Sequence, residues 1–323
     1  MGLSKTIGEG LARRVEWALF KVCYNTARMV CWEDAARIGR GFGLFLFYTG
    51  LRRPVVERNL EIAFPEASHA WRYRTARACY ANMGSHLMEF LALSKLRPED
   101  LGQLVDIEGG EELKAALAQG RGVIMAGSHF GHWELLTATM STFIHPLSAY
   151  AGRQANLQVD QAINQLRAKF KALPIGKSET SNREMLQCIK DKGVLGLLGD
   201  LNVPHKHLFI DFFGIKAAAG LGLGGFVEKF KQPLFYAWIT RESAYRHKAH
   251  FRQLDYSLTG DKEADRAAIV QLYFKALQAE IEARPDHYFW FNRRFKTRPS
   301  SEDEMGVHLY EPDGLKWLPK IKV

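Results

Sequence analysis

The sequence predicts an α/β fold, a sheet covered by helices, preceded by an all-helical N-terminal region. Two observations carry this. Residues 1–105 repeat their apolar side chains at spacings of three and four, the period of amphipathic helices. From Gly120 onward, short apolar runs alternate with helical stretches, the texture of strands joined by crossover helices. A third observation fixes where to look for chemistry. In Gly122–Leu136, GVIMAGSHFGHWELL, a strand-like run ends in a small-residue turn, then two histidines and a helix-like continuation.

The elements follow in order. Lys5–Arg40 reads as helical and two-faced, with Leu11, Val15, Leu19, Val22 and Thr26 on one side and Arg13, Arg14, Lys21, Asn25 and Arg28 on the other. It suits either a packed bundle helix or an interfacial helix lying on lipid, with Trp17 and Trp32 as amphipathic rings. Gly41–Leu51 is apolar but too short to cross a bilayer, which needs about 20 such residues. Arg52–Phe64 is a helix stopped by Pro65, and Trp71–Leu96 is a longer one. Strands are expected at Gly122–Gly127, His145–Tyr150, Val194–Gly199, Pro233–Thr240 and Lys248–Leu254. Helices are expected at Trp133–Phe143, Leu157–Leu173, Asn182–Lys192, Leu221–Lys231 and Lys262–Arg284. After Pro299 a surface-hugging extension follows, with Trp317, Leu318 and Ile321 among lysines. The divisions are therefore 1–105, 106–299 and 300–323.

A net charge of +9 favours an anionic partner, whether nucleic acid, membrane or acidic protein. The four cysteines, Cys23, Cys31, Cys79 and Cys188, are scattered without a C-x-x-C pair, which reads as buried reduced thiols.

His129 and Glu134 are five residues apart, so on one helix they would lie about 140° apart. They meet only if His129 lies in the turn before the helix and Glu134 in its first turn, where the helix dipole favours a carboxylate. Such a pair makes a general base, the carboxylate fixing the imidazole tautomer. The structural alternative is a hydrogen-bonding histidine of the fold. A metal site on His129, His132 and Glu134 is weaker, because no H-E-x-x-H accompanies it, and a serine hydrolase lacks its G-x-S-x-G elbow. Asp200 ends an apolar strand, a favoured place for site residues in open α/β sheets, though it could merely cap a turn. Phe209, Phe212 and Phe213 suit core better than pocket, and His205 and His207 a solvated pair. The aromatic and basic block Tyr288–Arg298 could stack single-stranded nucleic acid or meet a membrane or acidic carrier.

HFGHWE at His129–Glu134 resembles the His-x-x-x-x-Asp/Glu box of the lysophospholipid acyltransferase superfamily. More narrowly it is similar to the bacterial late acyltransferases of lipid A biosynthesis, the lauroyl/myristoyl transferase group. RNLEIAFPE (Arg58–Glu66), DFFGIKAAAG (Asp211–Gly220) and PDHYFWFNRRFKTRP (Pro285–Pro299) fit the same pattern in the same order. The chain departs from it with His132 in place of Asn, Leu201 after Asp200 in place of Gln, and Arg153 displaced by one residue.

The resemblance implies a glycerolipid acyltransferase-like domain over 106–299 and a membrane-associating 1–105. It implies that His129 deprotonates an acceptor hydroxyl, Glu134 orients the imidazole, and the oxygen attacks a thioester. A thiol of pKa near ~8.5 leaves with little acid assistance. The Gly131 N–H is a candidate oxyanion donor. Arg153, Asn156, Arg183 and Asp200 are the expected substrate-binding residues, forked guanidinium groups suiting acceptor phosphates. Expected partners are an acyl carrier protein or acyl-CoA donor, an anionic glycolipid acceptor and the cytoplasmic face of the bacterial inner membrane. No metal, cofactor or nucleic acid is expected.

Overall fold

The computed structural model describes residues 2–301 and 308–311, with side chains from residue 10 onward. The chain opens with four helices, α1 (Gly2–Met29), α2 (Trp32–Thr49), α3 (Arg53–Ala63) and α4 (His69–Ala92). The all-helical opening is as the periodicity predicts, but the boundary is not. The chain breaks at residues 30–31, and α2 runs on to a stop at Gly50, which takes the left-handed conformation (φ 77°) open to glycine. Ser68 caps α4, its Oγ accepting the Trp71 N–H at 3.2 Å. The crossing of α2 over α4 needs glycine. A Cβ on Gly39 would stand 2.2 Å from the Gly84 carbonyl oxygen, and one on Gly43 1.9 Å from that of Tyr80.

The expected sheet covered by helices follows. Its strands are β1 (Val105–Glu108), β2 (Val123–Gly127), β3 (Leu147–Ala151), β4 (Leu173–Gly176), β5 (Val194–Leu198), β8 (Leu234–Arg241) and β9 (His247–Gln253). The spatial order is β1-β9-β8-β2-β5-β3-β4, parallel except where β9 runs against β8. Parallel strands need helical crossovers that cover both faces, which is why β2 and β8 are buried almost throughout. The covering helices are α5 (Gly110–Ala118), α6 (Trp133–Phe143), α7 (Leu157–Lys169), α8 (Ser181–Lys190), α9 (Gly222–Phe230) and α10 (Lys262–Ala283).

Periodicity alone did not reveal β1, β4, α5 or a separate hairpin, β6 (His207–Phe212) and β7 (Ile215–Gly220). The helix expected to reach Leu173 stops at Lys169, because Lys171 turns the chain at φ 59° and releases Leu173 into β4. In the hairpin, Phe213 and Gly214 both have positive φ, the two-residue turn whose twist matches antiparallel strands. Phe212 is fully buried, as expected of core.

On α1 the predicted apolar stripe faces outward. Leu11, Val15, Leu19 and Val22 are 51–63% exposed, while Phe20, Cys23, Tyr24 and Ala27 pack inward. Phe45 and Tyr48 of α2, and Leu51 just past its end, are also about 60% exposed. Trp32 is no interfacial ring. It is buried and its Nε1–H donates to the Tyr245 carbonyl at 3.2 Å. Of the thiols, all free, Cys79 is buried but Cys31 is exposed, against the expectation that all four are buried. Trp317, Leu318 and Ile321 lie outside the described residues.

Candidate active site

Strand pairing builds the site. β2 and β5 are adjacent and parallel, with Gly127 beside Leu198. Two residues further along each strand, past the carboxyl ends, the register delivers His129 next to Asp200. The chain runs from β2 to one side of the sheet through β3, β4 and β5, and β8 closes the other side. The carboxyl end of β2 is therefore a switch point, where ligands of open α/β sheets bind.

His129 Nδ1 lies 2.9 Å from Asp200 Oδ1, and the His129 backbone N–H donates to Asp200 Oδ2 at 3.1 Å. Asp200 is fully buried and the His129 side chain 21% exposed. An ionised carboxylate can only accept, so Nδ1 carries the ring proton and Nε2 keeps its lone pair. Burial disfavours both charged forms. Charge attraction and hydrogen bonding between the two override it, holding Asp200 below the usual carboxylate range and His129 above the usual imidazole value, with Glu134 adding to the latter. The rings of Trp133 and Phe289 enclose the imidazole at 5.1 and 5.8 Å.

Glu134 stands in the first turn of α6, where the spacing argument puts it, and His129 precedes the helix. Its carboxylate, however, is engaged elsewhere. Arg167 of α7 grips it with both arms of the guanidinium, Nε to Oε2 at 3.0 Å and the second nitrogen to Oε1 at 2.5 Å. The carboxylate that holds the His129 ring is Asp200. Arg167 went unnoticed in the sequence because a basic residue in the last turn of a helix is an ordinary surface pattern.

The Gly131 N–H is not available to an oxyanion. It donates to the His287 carbonyl at 2.8 Å, while Phe289 N–H donates to the His129 carbonyl at 2.9 Å, so residues 129–131 are strapped to 287–289. Gly131 has φ 59°, and a Cβ there would meet the Ile239 carbonyl oxygen at 1.9 Å. His132 caps α6, its Nδ1 accepting the Leu135 N–H at 3.3 Å.

A cavity of about 590 Å³ opens beside the pair. Its walls include Leu87, Phe90, Ala149, Ile163, Leu173 and Leu198, with Glu134, Arg153 and Arg167 supplying charge. A small apolar chamber between α6 and the sheet adjoins it and shares Trp133, Thr137, Ala149 and Leu198. Arg153 is an exposed part of the lining. Asn156 is buried, caps α7 by accepting the Gln158 N–H, and donates to the Arg13 carbonyl at 2.8 Å, tying α7 to α1. Arg183 is exposed on α8, away from the cavity lining.

A buried polar nest forms part of the cavity wall, through His86 and His132, and continues behind it. Glu89 pairs with Arg241 at 2.5 and 2.8 Å. His132 and His247 lie 3.9 and 3.8 Å from the same carboxylate, and His86 stacks on His132. Burial, reinforced by Arg241, pushes all three histidines well below the ordinary imidazole value.

A parallel sheet with an imidazole–carboxylate pair at its switch point, beside an apolar cavity, is the site of an enzyme. The profile of the bacterial lipid A biosynthesis acyltransferases matches residues 16–297, and the chain belongs to that family of acyltransferases. It is 24% identical over 259 residues to the lipid A biosynthesis palmitoleoyltransferase of Escherichia coli K12, covering 79% of this chain and 82% of that protein. The lauroyltransferase of the same organism is 24% identical over 268 residues, 81% of this chain and 85% of its own. The myristoyltransferase is 24% identical over 277 residues, 83% and 81% respectively.

Proposed function

We propose that the protein moves a fatty acyl group from a thioester donor, acyl carrier protein or acyl-CoA, to a hydroxyl of a lipid A precursor or similar anionic glycolipid. The observation that carries this reading is the His129–Asp200 pair at the wall of the 590 Å³ cavity. Nε2 of His129 takes the acceptor hydroxyl proton as the oxygen attacks the thioester carbonyl. A C–O bond forms, the C–S bond breaks, and the imidazolium returns the proton to the departing thiolate. Asp200 holds the ring in the required tautomer and stabilises the imidazolium. Glu134 contributes its negative charge from the first turn of α6 and, clamped by Arg167, shapes the polar side of the cavity. The apolar walls take the acyl chain and Arg153 meets acceptor phosphate. Asn156 acts indirectly, by tying α7 to α1, and Arg183 is too far outside the lining to be assigned a contact.

The same reading places the protein at the cytoplasmic face of the bacterial inner membrane, peripheral or monotopic. No helix among the described residues is long and apolar enough to cross a membrane. The exposed stripe of α1, flanked by Arg13, Arg14, Lys21 and Arg28, has the composition of a helix lying in an anionic interface.

The test is transfer of labelled acyl chain from acyl carrier protein to a lipid A precursor, with His129→Ala and Glu134→Ala alongside. Labelled product that disappears in His129→Ala is expected. Undiminished transfer by that variant refutes the mechanism, and transfer only to a different lipid refutes the acceptor.

A further inference from the structure

Between residues 287 and 297 the chain touches both halves of the His129–Asp200 pair. On one side it forms the two backbone bonds to residues 129–131 described above. On the other, the Tyr288 hydroxyl donates to the Asp200 carbonyl at 3.2 Å. The next turn is stapled three times. Asn202 N–H donates to Asn292 Oδ1 at 3.4 Å, Asn202 Nδ2 to Thr297 Oγ1 at 3.1 Å, and Thr297 N–H to Asn202 Oδ1 at 3.1 Å. Besides the two His129–Asp200 hydrogen bonds, the strap bonds to both loops and so gives them a common frame.

The strap is itself pinned from the N-terminal helices. Asn59 of α3 is fully buried, and its Nδ2 donates to the carbonyls of Trp290 and Asn292, both at 2.6 Å. Its Oδ1 accepts from the Tyr310 hydroxyl, which accepts the Phe295 N–H at 3.0 Å. A buried asparagine has two donors and an acceptor site to satisfy; here both donors serve the strap directly and the acceptor reaches it through Tyr310. No other residue type of this size supplies both donors and the acceptor.

We propose that Asn59 is a positioning residue for acyl transfer. It sets the strap 287–297, and the strap fixes His129 and Asp200 at contact distance. The proposal rests on the reading of that pair as the catalytic base and its partner. It explains why a helix of the N-terminal region carries a polar residue into the core, where an unpartnered amide would be costly. It also gives the RNLEIAFPE segment a task at the reacting centre without contact to substrate.

The test uses the full chain with Asn59→Ala and, at the far end of the strap, the half-exposed Asn202→Ala and Thr297→Val, with Thr297→Ser as the conservative control. Three quantities are read: the melting temperature, the titration of the His129 ring followed by imidazole nitrogen NMR without substrate, and the kinetics of transfer. The expected result is a His129 titration displaced toward the free imidazole value in Asn59→Ala, Asn202→Ala and Thr297→Val, at nearly unchanged melting temperature in the last two. With it, kcat falls about 100-fold, as displacement of a base by about 1 Å does, while donor KM holds. Thr297→Ser behaves as wild type. The proposal is overturned if His129 titrates as in wild type in a folded Asn59→Ala or in both Asn202→Ala and Thr297→Val, or if kcat falls only in step with the folded fraction. If the wild-type protein transfers no acyl group, the proposed function fails, and the NMR titration alone then decides whether the strap holds the pair.

Discussion

Asp200→Asn probes the geometry with one atom. The Asp200 carboxylate accepts two hydrogen bonds from His129, one from Nδ1–H and one from the backbone N–H. An amide puts an oxygen at only one of the two accepting positions and an NH2 at the other. If the oxygen faces the backbone N–H, the amide nitrogen donates to Nδ1, the ring proton moves to Nε2, and the base is lost. If it faces Nδ1–H, two N–H groups oppose each other in a fully buried place. Charge loss adds to this. Unit charges about 4 Å apart attract by about 4 kcal/mol at an effective dielectric of 20, the regime of a half-enclosed site. Partial exposure of the imidazole trims that to roughly 3–4 kcal/mol of imidazolium stabilisation, or about 10²–10³-fold in kcat. Steady-state transfer rates give the loss, and ring-nitrogen NMR identifies the tautomer. Wild-type kcat in Asp200→Asn, with the proton still on Nδ1, would refute Asp200 as the orienting carboxylate.

Other expectations follow from the same geometry. His86, His132 and His247 are neutral in the folded protein, and their depressed pKa means the unfolded chain binds protons that the folded one does not. Their contribution is present above pH ~6.5 and is lost as pH falls below it, by up to about 1.4 kcal/mol per group per pH unit. His129, shifted upward, acts in the opposite sense above pH ~6.5, but it is one group against three, so denaturant melts at pH 7.5 and 5.5 should differ in midpoint, the acidic one lower. Ala149→Trp blocks the contact between the two cavities. Each methylene excluded forfeits about 0.8 kcal/mol, so competition between donors should shift toward shorter chains, and an unchanged chain-length profile counts against the cavity as the acyl site. Leu19→Asp places a charge on the exposed stripe of α1 and should weaken binding to anionic vesicles at unchanged melting temperature.

The sequence pattern yields the sheet, most of its covering helices and the chemistry of the β2–α6 turn, because buried parallel strands and amphipathic helices leave strong periodicities. It left the partner of His129 undecided for a definite reason. Asp200 was visible as the end of an apolar strand, but the choice between Asp200 and Glu134 depends on β5 lying beside β2 with Gly127 next to Leu198, and adjacency is not a local property. Short strands hid for a related reason. β1 alternates over four residues, and the β6–β7 hairpin turns on Phe213 at positive φ, where pattern predicts Gly or Asn. Asn156, which the family pattern offers as a substrate contact, is used as a helix cap, a role composition cannot distinguish.

The glycine crossing of α2 over α4 has a mechanical consequence. With Gly39 and Gly43 seated on Gly84 and Tyr80, the two backbones touch, and no side chain is left between them to act as a cushion. α2 carries Phe45 and Tyr48 on the outer surface, and α4 carries His86, Leu87 and Phe90 into the cavity wall. The outer face and the cavity are thus parts of one lever rather than two bodies on a tether. If the protein sits on a membrane as proposed above, this crossing would set its docking angle and the depth from which it draws a substrate. Adding a Cβ at Gly39 would change that depth before it changed any group that touches substrate.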